Sequence, residues 1–334
     1  MKKTQSINIR SCFENYALYI IMSLIIVIIG LMSPRFFSFR VLRDILIQSS
    51  TRIIVAMGCM FIIVSGSADL SGGRTVGLAA VVAGSLAQKS DYYIKFWPNL
   101  PELPLIIPVA AAIGIGLIVG FSNGFVVAKL RVPSFLATLS LMMIAYGANL
   151  LYSNKPPNNS QPLGGFLKSF STLGTGGFLS IPFIIYIALG VILAVHLLLT
   201  RTVLGREIFA VGSNPDAARV SGINVFKIQM ITFGLAGACY GLAGCLEAAR
   251  TGSATSLYGN GYEMDAIASC IVGGCSMTGG VGNVFGVFIG VLIFNVINYG
   301  LTFIGLSSYW QWIVKGLIII IAVSMDMKKF SKDR

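Results

Sequence analysis

The sequence predicts an all-α, polytopic membrane protein with about ten transmembrane helices, some short or broken. Three observations point there. Only 11% of residues are charged and 55% are hydrophobic, whereas a soluble domain carries about 25% charged residues. The mean hydropathy is +0.83. The apolar residues fall in runs close to the ~20 residues that a spanning helix needs. The 38 glycines agree with helices packed in lipid, where small residues let backbones approach closely.

Taken in order, Lys2, Lys3 and Arg10 precede a first span at 17–33. Pro34-Arg35 follows it where a signal peptide would end in small residues, so the run reads as a membrane helix. A second span at 45–66 is interrupted by Arg52, and the polar, Gly-rich stretch Ser65–Arg74 follows it. Apolar character resumes at 74–88, then at 104–128 and 133–152, the last two separated by Lys129 and Arg131. A long Gly, Pro, Asn and Ser loop, 153–180, leads to a span at 181–199. The longest polar stretch of the second half, 200–227, precedes a span at 227–248. No charge lies between Asp265 and Lys315; Gly273-Gly274, Gly279-Gly280 and Gly300 divide that stretch into short spans at 262–275 and 280–300, before a last one at 310–327. One transmembrane domain, 1–334, therefore accounts for the chain.

The net charge of +12 would suggest nucleic acid in a soluble protein. Here the charges flank apolar runs, so they are read as topology determinants, with lipid as the neighbour and no nucleic-acid partner. An even number of spans puts both termini on one side. The positive-inside rule makes that side cytoplasmic, because Lys129, Arg131, Arg201, Arg206, Arg219, Lys227 and the basic termini then all lie inside. Arg35, Arg40 and Arg43 fall outside and suggest a segment along the outer interface. A multi-pass protein of the inner (cytoplasmic) membrane is expected. The six cysteines form no CxxC pair and, Cys12 apart, sit in apolar stretches as packed thiols. His196 reads as packed or interfacial, and no metal site is expected. A P-loop is absent, so this chain is not expected to hydrolyse ATP by the usual route. Ser71–Gly77 faintly echoes Thr278–Val284, which allows an internal repeat of the kind transporters contain.

Four segments carry candidate chemistry. Charge inside a span is costly, so Asp69 and Arg74, with Ser71 between them, either pair, face a watery cavity or sit at a helix end; a solvated cytoplasmic turn is the plain alternative. Glu263 and Asp265 either line a substrate pathway or cap the helix they begin, where the dipole favours acidic groups. Asn295 and Asn298 share a helix face at i, i+3, beside Tyr299; interhelical hydrogen bonding and substrate contact are both open to them. Finally, Ser213–Gly222 reads as a short punctuated helix on the cytoplasmic side. Asn214 suits the N-cap, Pro215 the first helical position, Asp216 the positive end of the dipole and Gly222 the stop. Ala217, Ala218 and Val220 are small enough for close approach by a partner, and Asp216 and Arg219 can pair.

Several of these runs match a family. Gln48–Gly58, Asp69–Ala80, Gly212–Ile223 and Ala266–Gly274 with Gly279–Gly282 resemble the permeases of monosaccharide ABC importers, the ribose, xylose, arabinose and galactose group; the likeness covers nearly the whole chain. Ala249–Thr255 and Ile297–Thr302 look most like its galactose/methyl-galactoside branch. The resemblance implies that two copies of the permease form the pore and that a cytoplasmic ATPase binds the Asn214–Gly222 helix. It also implies that an extracytoplasmic sugar-binding protein docks outside and does most of the sugar selection. No cofactor is then expected on this chain; ATP and Mg belong to the ATPase. An ion-coupled secondary transporter would need intramembrane carboxylates, for which Asp69 is available. A passive channel would lack an ATPase-docking helix. A membrane enzyme would need a nucleophile, base or metal cluster, and the residues offer none.

Overall fold

The protein is described here by a computed structural model covering residues 23–331. Lys2, Lys3, Arg10, Cys12 and the start of the first expected span lie outside the described residues. The helices are α1 (Ser23–Met32), α2 (Phe39–Val64), α3 (Gly72–Leu86), α4 (Ile106–Ala128), α5 (Ser134–Ser153), α6 (Lys168–Thr175) and α7 (Phe183–Arg201). They continue with α8 (Val203–Ser213), α9 (Pro215–Val220), α10 (Val225–Thr251), α11 (Tyr262–Val272), α12 (Val284–Phe303) and α13 (Ser308–Ser331). Among the described residues one two-stranded ladder, β1 (Gly177–Phe178) against β2 (Ile181–Pro182), interrupts this all-α chain.

Six described helices are long and apolar enough to cross a bilayer: α2, α4, α5, α7, α10 and α12. The others are instructive because they are short. α3 has 15 residues and α11 only 11, roughly 22 and 16 Å of helix against a hydrocarbon core of about 30 Å. The span drawn at 262–275 thus contains a half-helix that ends in the turn at Gly273-Gly274. The loop expected at 153–180 holds α6 and β1, and the polar stretch 200–227 is mostly helical, as α8 and α9.

The described residues divide into two units, 46–291 and the pair 23–45 with 292–331. In the smaller, Ile29, Phe36, Val41 and Ile45 form a core with Val296, Tyr299 and Ile304. In the larger, α10 is the central helix, packed against α4 and α3. Glycines set that packing. A Cβ added at Gly237 would overlap the Gly116 carbonyl oxygen, one at Gly241 that of Ala112, and one at Gly244 that of Val76. Backbones therefore touch, as small-xxx-small packing allows. α2 is buried along most of its length, whereas α4, α5 and α7 present apolar side chains outward; Leu189, Leu193 and Leu197 make one such stripe on α7.

This packing yields a test with an internal control. Gly237→Ala should lower thermal stability in detergent by about 1–3 kcal/mol, the usual cost of overpacking. Gly114→Ala on α4, where an added Cβ meets nothing within 4 Å, should leave it unchanged. Equal midpoints for the two variants would contradict backbone contact between α4 and α10.

Candidate functional site

At Val64 the chain leaves α2 and does not resume a helix until Gly72. Irregular backbone at membrane depth is tolerated only where protein satisfies its polar groups, and here α5 does so. Ala68 N donates to Ser134 Oγ (3.2 Å) and Leu70 N to Thr138 Oγ1 (3.1 Å). Asp69 is buried in this link. Its Oδ1 accepts from both the amide and the hydroxyl of Ser71, each at 2.7 Å. Ser71 Oγ accepts in turn from Asn123 Nδ2 of α4 at 2.7 Å. The carboxylate lies just before α3, at the positive end of its dipole, and the Tyr240 ring of α10 packs on Gly72.

Asp69 and Arg74 do not pair. Asp69 takes its donors from Ser71 and from the Tyr240 side chain of α10, and Arg74, in the first turn of α3, reaches elsewhere. Its Nη2 donates to Asn260 Oδ1 at 2.9 Å and its guanidinium lies 4.1 Å from the centroid of the Tyr146 ring of α5. Gly73 brings the start of α3 against the Gly259 backbone and Glu263, whose Oε2 would collide with any Cβ there. Glu263 and Asp265 both occupy the first turn of α11.

A second polar group surrounds Glu247, buried on α10. Thr51 Oγ1 of α2 donates to its Oε2 (2.8 Å), Tyr262 Oη of α11 to its Oε1 (3.2 Å), and Arg250 Nη2 to its Oε1 (2.6 Å). Arg52 lies 3.9 Å from Asp265 Oδ2 and 5.2 Å from the Tyr262 ring centroid. Two arginines thus balance two carboxylates and tie α2, α10 and α11 together.

Asp69, Ser71, Arg74, Glu263 and Asp265 therefore gather around the starts of α3 and α11. Asn295, Asn298 and Tyr299 belong to the other unit; the two asparagines are buried on α12, and Tyr299 Oη donates to Asp44 Oδ2 at 3.4 Å. Glu247, Arg250, Thr51, Asn123 and Tyr240 were not singled out from sequence. For Glu247 and Arg250 a signal existed, an i, i+3 opposite-charge pair at the end of an apolar run. Asn123, Thr51 and Tyr240 carry no such mark. Among the described residues no cluster of His, Cys, Asp and Glu is placed to hold a metal ion.

The α9 segment has the punctuation the sequence suggests. Asn214 Oδ1 caps the amides of Asp216 and Ala217, both at 3.0 Å, and Asp216 pairs with Arg219 at 2.9 Å. Gly222, at φ +85°, closes the helix with Gly222 N donating to Arg219 O and Ile223 N to Ala218 O, a Schellman ending. Ala217 and Val220 face outward, whereas Ala218 is buried against the chain's own helices and offers a partner no surface. Beside α9 a cavity of about 710 Å³ is lined by Ser67, Arg131, Ser134, Arg219 and Gln229 among others. A Cβ at Gly212, the end of α8, would overlap the Val64 carbonyl oxygen, so α8 touches the link that carries Asp69.

Comparison with known proteins places these features in context. The family described as branched-chain amino acid transport system / permease component matches residues 41–323. The chain is 44% identical to the galactose/methyl galactoside import permease protein MglC of Escherichia coli (strain K12) over 321 residues, 95% of each chain. It is 42% identical to the protein of that name from Haemophilus influenzae over 95% of each chain. It is 40% identical to the ribose import permease protein RbsC of Escherichia coli (strain K12) over 91% of each chain. No solved structure matches.

The Glu247 group generates a prediction. With side-chain exposures of 4% for Glu247 and 22% for Arg250, Arg250→Met leaves a buried carboxylate without its cation and should cost about 3–5 kcal/mol. Adding Glu247→Gln should recover most of that loss. Thermal unfolding of both single variants and the double variant measures the coupling; strictly additive effects would contradict a buried pair.

Proposed function

Because the chain belongs to the branched-chain amino acid transport system / permease component family, we propose that this integral membrane protein is the pore-forming permease of an ATP-driven monosaccharide importer. Galactose or a methyl galactoside is the substrate we assign, since the MglC permeases are similar to it over 95% of its length. The likeness to RbsC makes a pentose the alternative cargo for the same machine. A second copy of the chain completes the pore, an extracytoplasmic binding protein delivers and selects the sugar, and a separate cytoplasmic ATPase binds ATP and Mg. The chain spans the inner membrane with both termini cytoplasmic.

The observation that supports the coupling mechanism is the backbone contact between α8, which precedes α9, and Val64, where the link to Asp69 begins. Val220, the exposed tip of α9, is 90% accessible, a compact apolar side chain suited to a groove on a partner. α9 follows α8 after a single residue, Asn214. α8 rests through Gly212 on the Val64 carbonyl, and Gly280 N donates to that same oxygen at 2.9 Å. A push on α9 by the ATPase therefore reaches the irregular link between α2 and α3 without passing through a flexible loop. That link holds Asp69 and Ser71, and the start of α3 holds Arg74. We assign these three, together with Glu263 and Asp265, to the substrate path. Asn295, Asn298 and Tyr299 are assigned to the path from their polarity on α12.

Vesicles reconstituted with the permease, its ATPase and its binding protein test the reading. Galactose uptake should require ATP inside the vesicles and survive collapse of ion gradients; gradient-driven uptake without ATP would contradict it. Val220→Asp should cut uptake at least tenfold and release the ATPase on purification while leaving the fold intact. Full uptake by Val220→Asp would move the coupling site elsewhere.

A further inference from the structure

Between α10 and α11 the chain runs into the membrane domain without forming a helix. In the topology above, α10 ends on the outer side at Thr251. Tyr240, eleven residues before that end and about 16 Å below it along the axis, packs its ring on Gly72 at the start of α3. Ala254 is still level with the outer loop. It exchanges two backbone hydrogen bonds of 2.9 Å with Leu163 and lies against Gly84, late in α3. Five residues on, a Cβ at Gly259 would overlap the carbonyl oxygen of Gly73, so the chain has descended beside most of α3. α11 continues inward, with the Cys270 thiol 3.5 Å from the Ala56 carbonyl oxygen of α2. Residues 252–272 therefore make one crossing, irregular in its outer half and helical in its inner half.

Irregular backbone at membrane depth persists only inside protein or against water. This stretch is not enclosed. Asn260 is exposed, Leu257 is 68% exposed, and Ser253, Thr255 and Ser256 are half-buried. Its polar groups are open as well. Among the described residues the backbone amides of Ser253, Thr255 and Ser256 have no acceptor, and Ser256 Oγ and Asn260 Nδ2 have no protein partner. Hydrocarbon can satisfy none of these groups.

We propose that Ser253–Asn260 is the water-facing wall of the sugar path through the outer half of the membrane domain. Its hydroxyls, amides and carboxamide supply both donors and acceptors, which suits a polyol exchanging its hydration for a succession of short-lived hydrogen bonds. Unwound backbone joined to a half-helix is a general way for transporters to present polar groups to a substrate. Gly259 and Gly261, at φ +76° and +80°, turn the chain from this wall into α11 through conformations that side chains disfavour. The inference rests on the monosaccharide reading above and adds the residues that the sugar passes.

The test introduces Ser256→Cys, Asn260→Cys or, as a lipid-facing control, Leu193→Cys on the outward stripe of α7, where Leu193 is 57% exposed. The whole complex, in lipid nanodiscs open on both faces, is treated with a charged thiosulfonate. Labelling is measured above that of the unaltered complex, whose Cys59, Cys245, Cys270 and Cys275 are buried. The reactive thiolate forms in water and not in hydrocarbon, so Ser256→Cys and Asn260→Cys should react roughly tenfold or more faster than Leu193→Cys. Labelled Ser256→Cys complex, moved to vesicles, should lose ATP-driven galactose uptake by about tenfold relative to the same variant unlabelled. Ser253→Cys serves where Ser256→Cys fails to assemble. Rates no higher than that of Leu193→Cys would set the segment against lipid or dry protein and overturn the proposal. Full labelling with uptake unaltered would also overturn it, because the water met there would lie off the sugar path. Absence of galactose uptake by the unaltered complex, with labelling as expected, would instead contradict the monosaccharide reading and leave the water-facing wall standing.

Discussion

The close approach of α10 to α4 and α3 is the contact on which the rest of the larger unit depends. In lipid there is no hydrophobic drive between helices, so packing and polar contacts must hold them. Gly237, Gly241 and Gly244 let α10 meet its neighbours backbone to backbone. That fixes where α10 delivers Tyr240 against Gly72, and Glu247 against Thr51 and Tyr262. It also sets α4 so that Asn123 reaches Ser71. A wider separation by one methyl group at these points would pull each of those polar contacts past hydrogen-bonding distance.

The polar groups fall into two kinds. Around Glu247 the charges balance, and each Glu247 oxygen accepts a close donor. Such a group resists opening, because removing one buried partner costs several kcal/mol. It anchors α11, too short to span alone, between α2 and α10. Around Arg74 the contacts are fewer: its Nη2 bonds Asn260, its guanidinium lies on the Tyr146 ring, and its Nη1 has no hydrogen-bond partner. The contact of Gly212 with the Val64 carbonyl joins α8 to the link that carries Asp69.

Much of this was legible in the sequence, and the rest was hidden for definite reasons. The capping of α9 was readable because Asn214, Pro215 and Gly222 each act on neighbouring residues; local chemistry needs no knowledge of the fold. The breaks at Ser65–Arg74 and Gly273-Gly274 were readable because glycine and polar residues interrupt apolar runs. Asp69 and Arg74 were recognisable as costly charges, but their partners were not. Asp69 bonds Ser71, two residues on, while Arg74 bonds Asn260, far along the chain. Glu247 was overlooked although Arg250 stands one turn away, because its other partners, Thr51 and Tyr262, come from distant helices. The glycines at 116, 120 and 124 on α4 and at 237 and 241 on α10 carry a small-xxx-small spacing that marks helix contact, yet spacing alone does not say which two helices meet. The orientation of Ala218 followed the same limit: a six-residue helix buries one face, and only the packing decides which.

The measurement that bears most directly on this account is a structure of the permease with its ATPase and binding protein, trapped with sugar inside the membrane domain. The expected result is α9 seated in a groove of the ATPase with Val220 covered, and Glu247 still bonded to Arg250. An ATPase that leaves α9 free and docks on other cytoplasmic segments would contradict it.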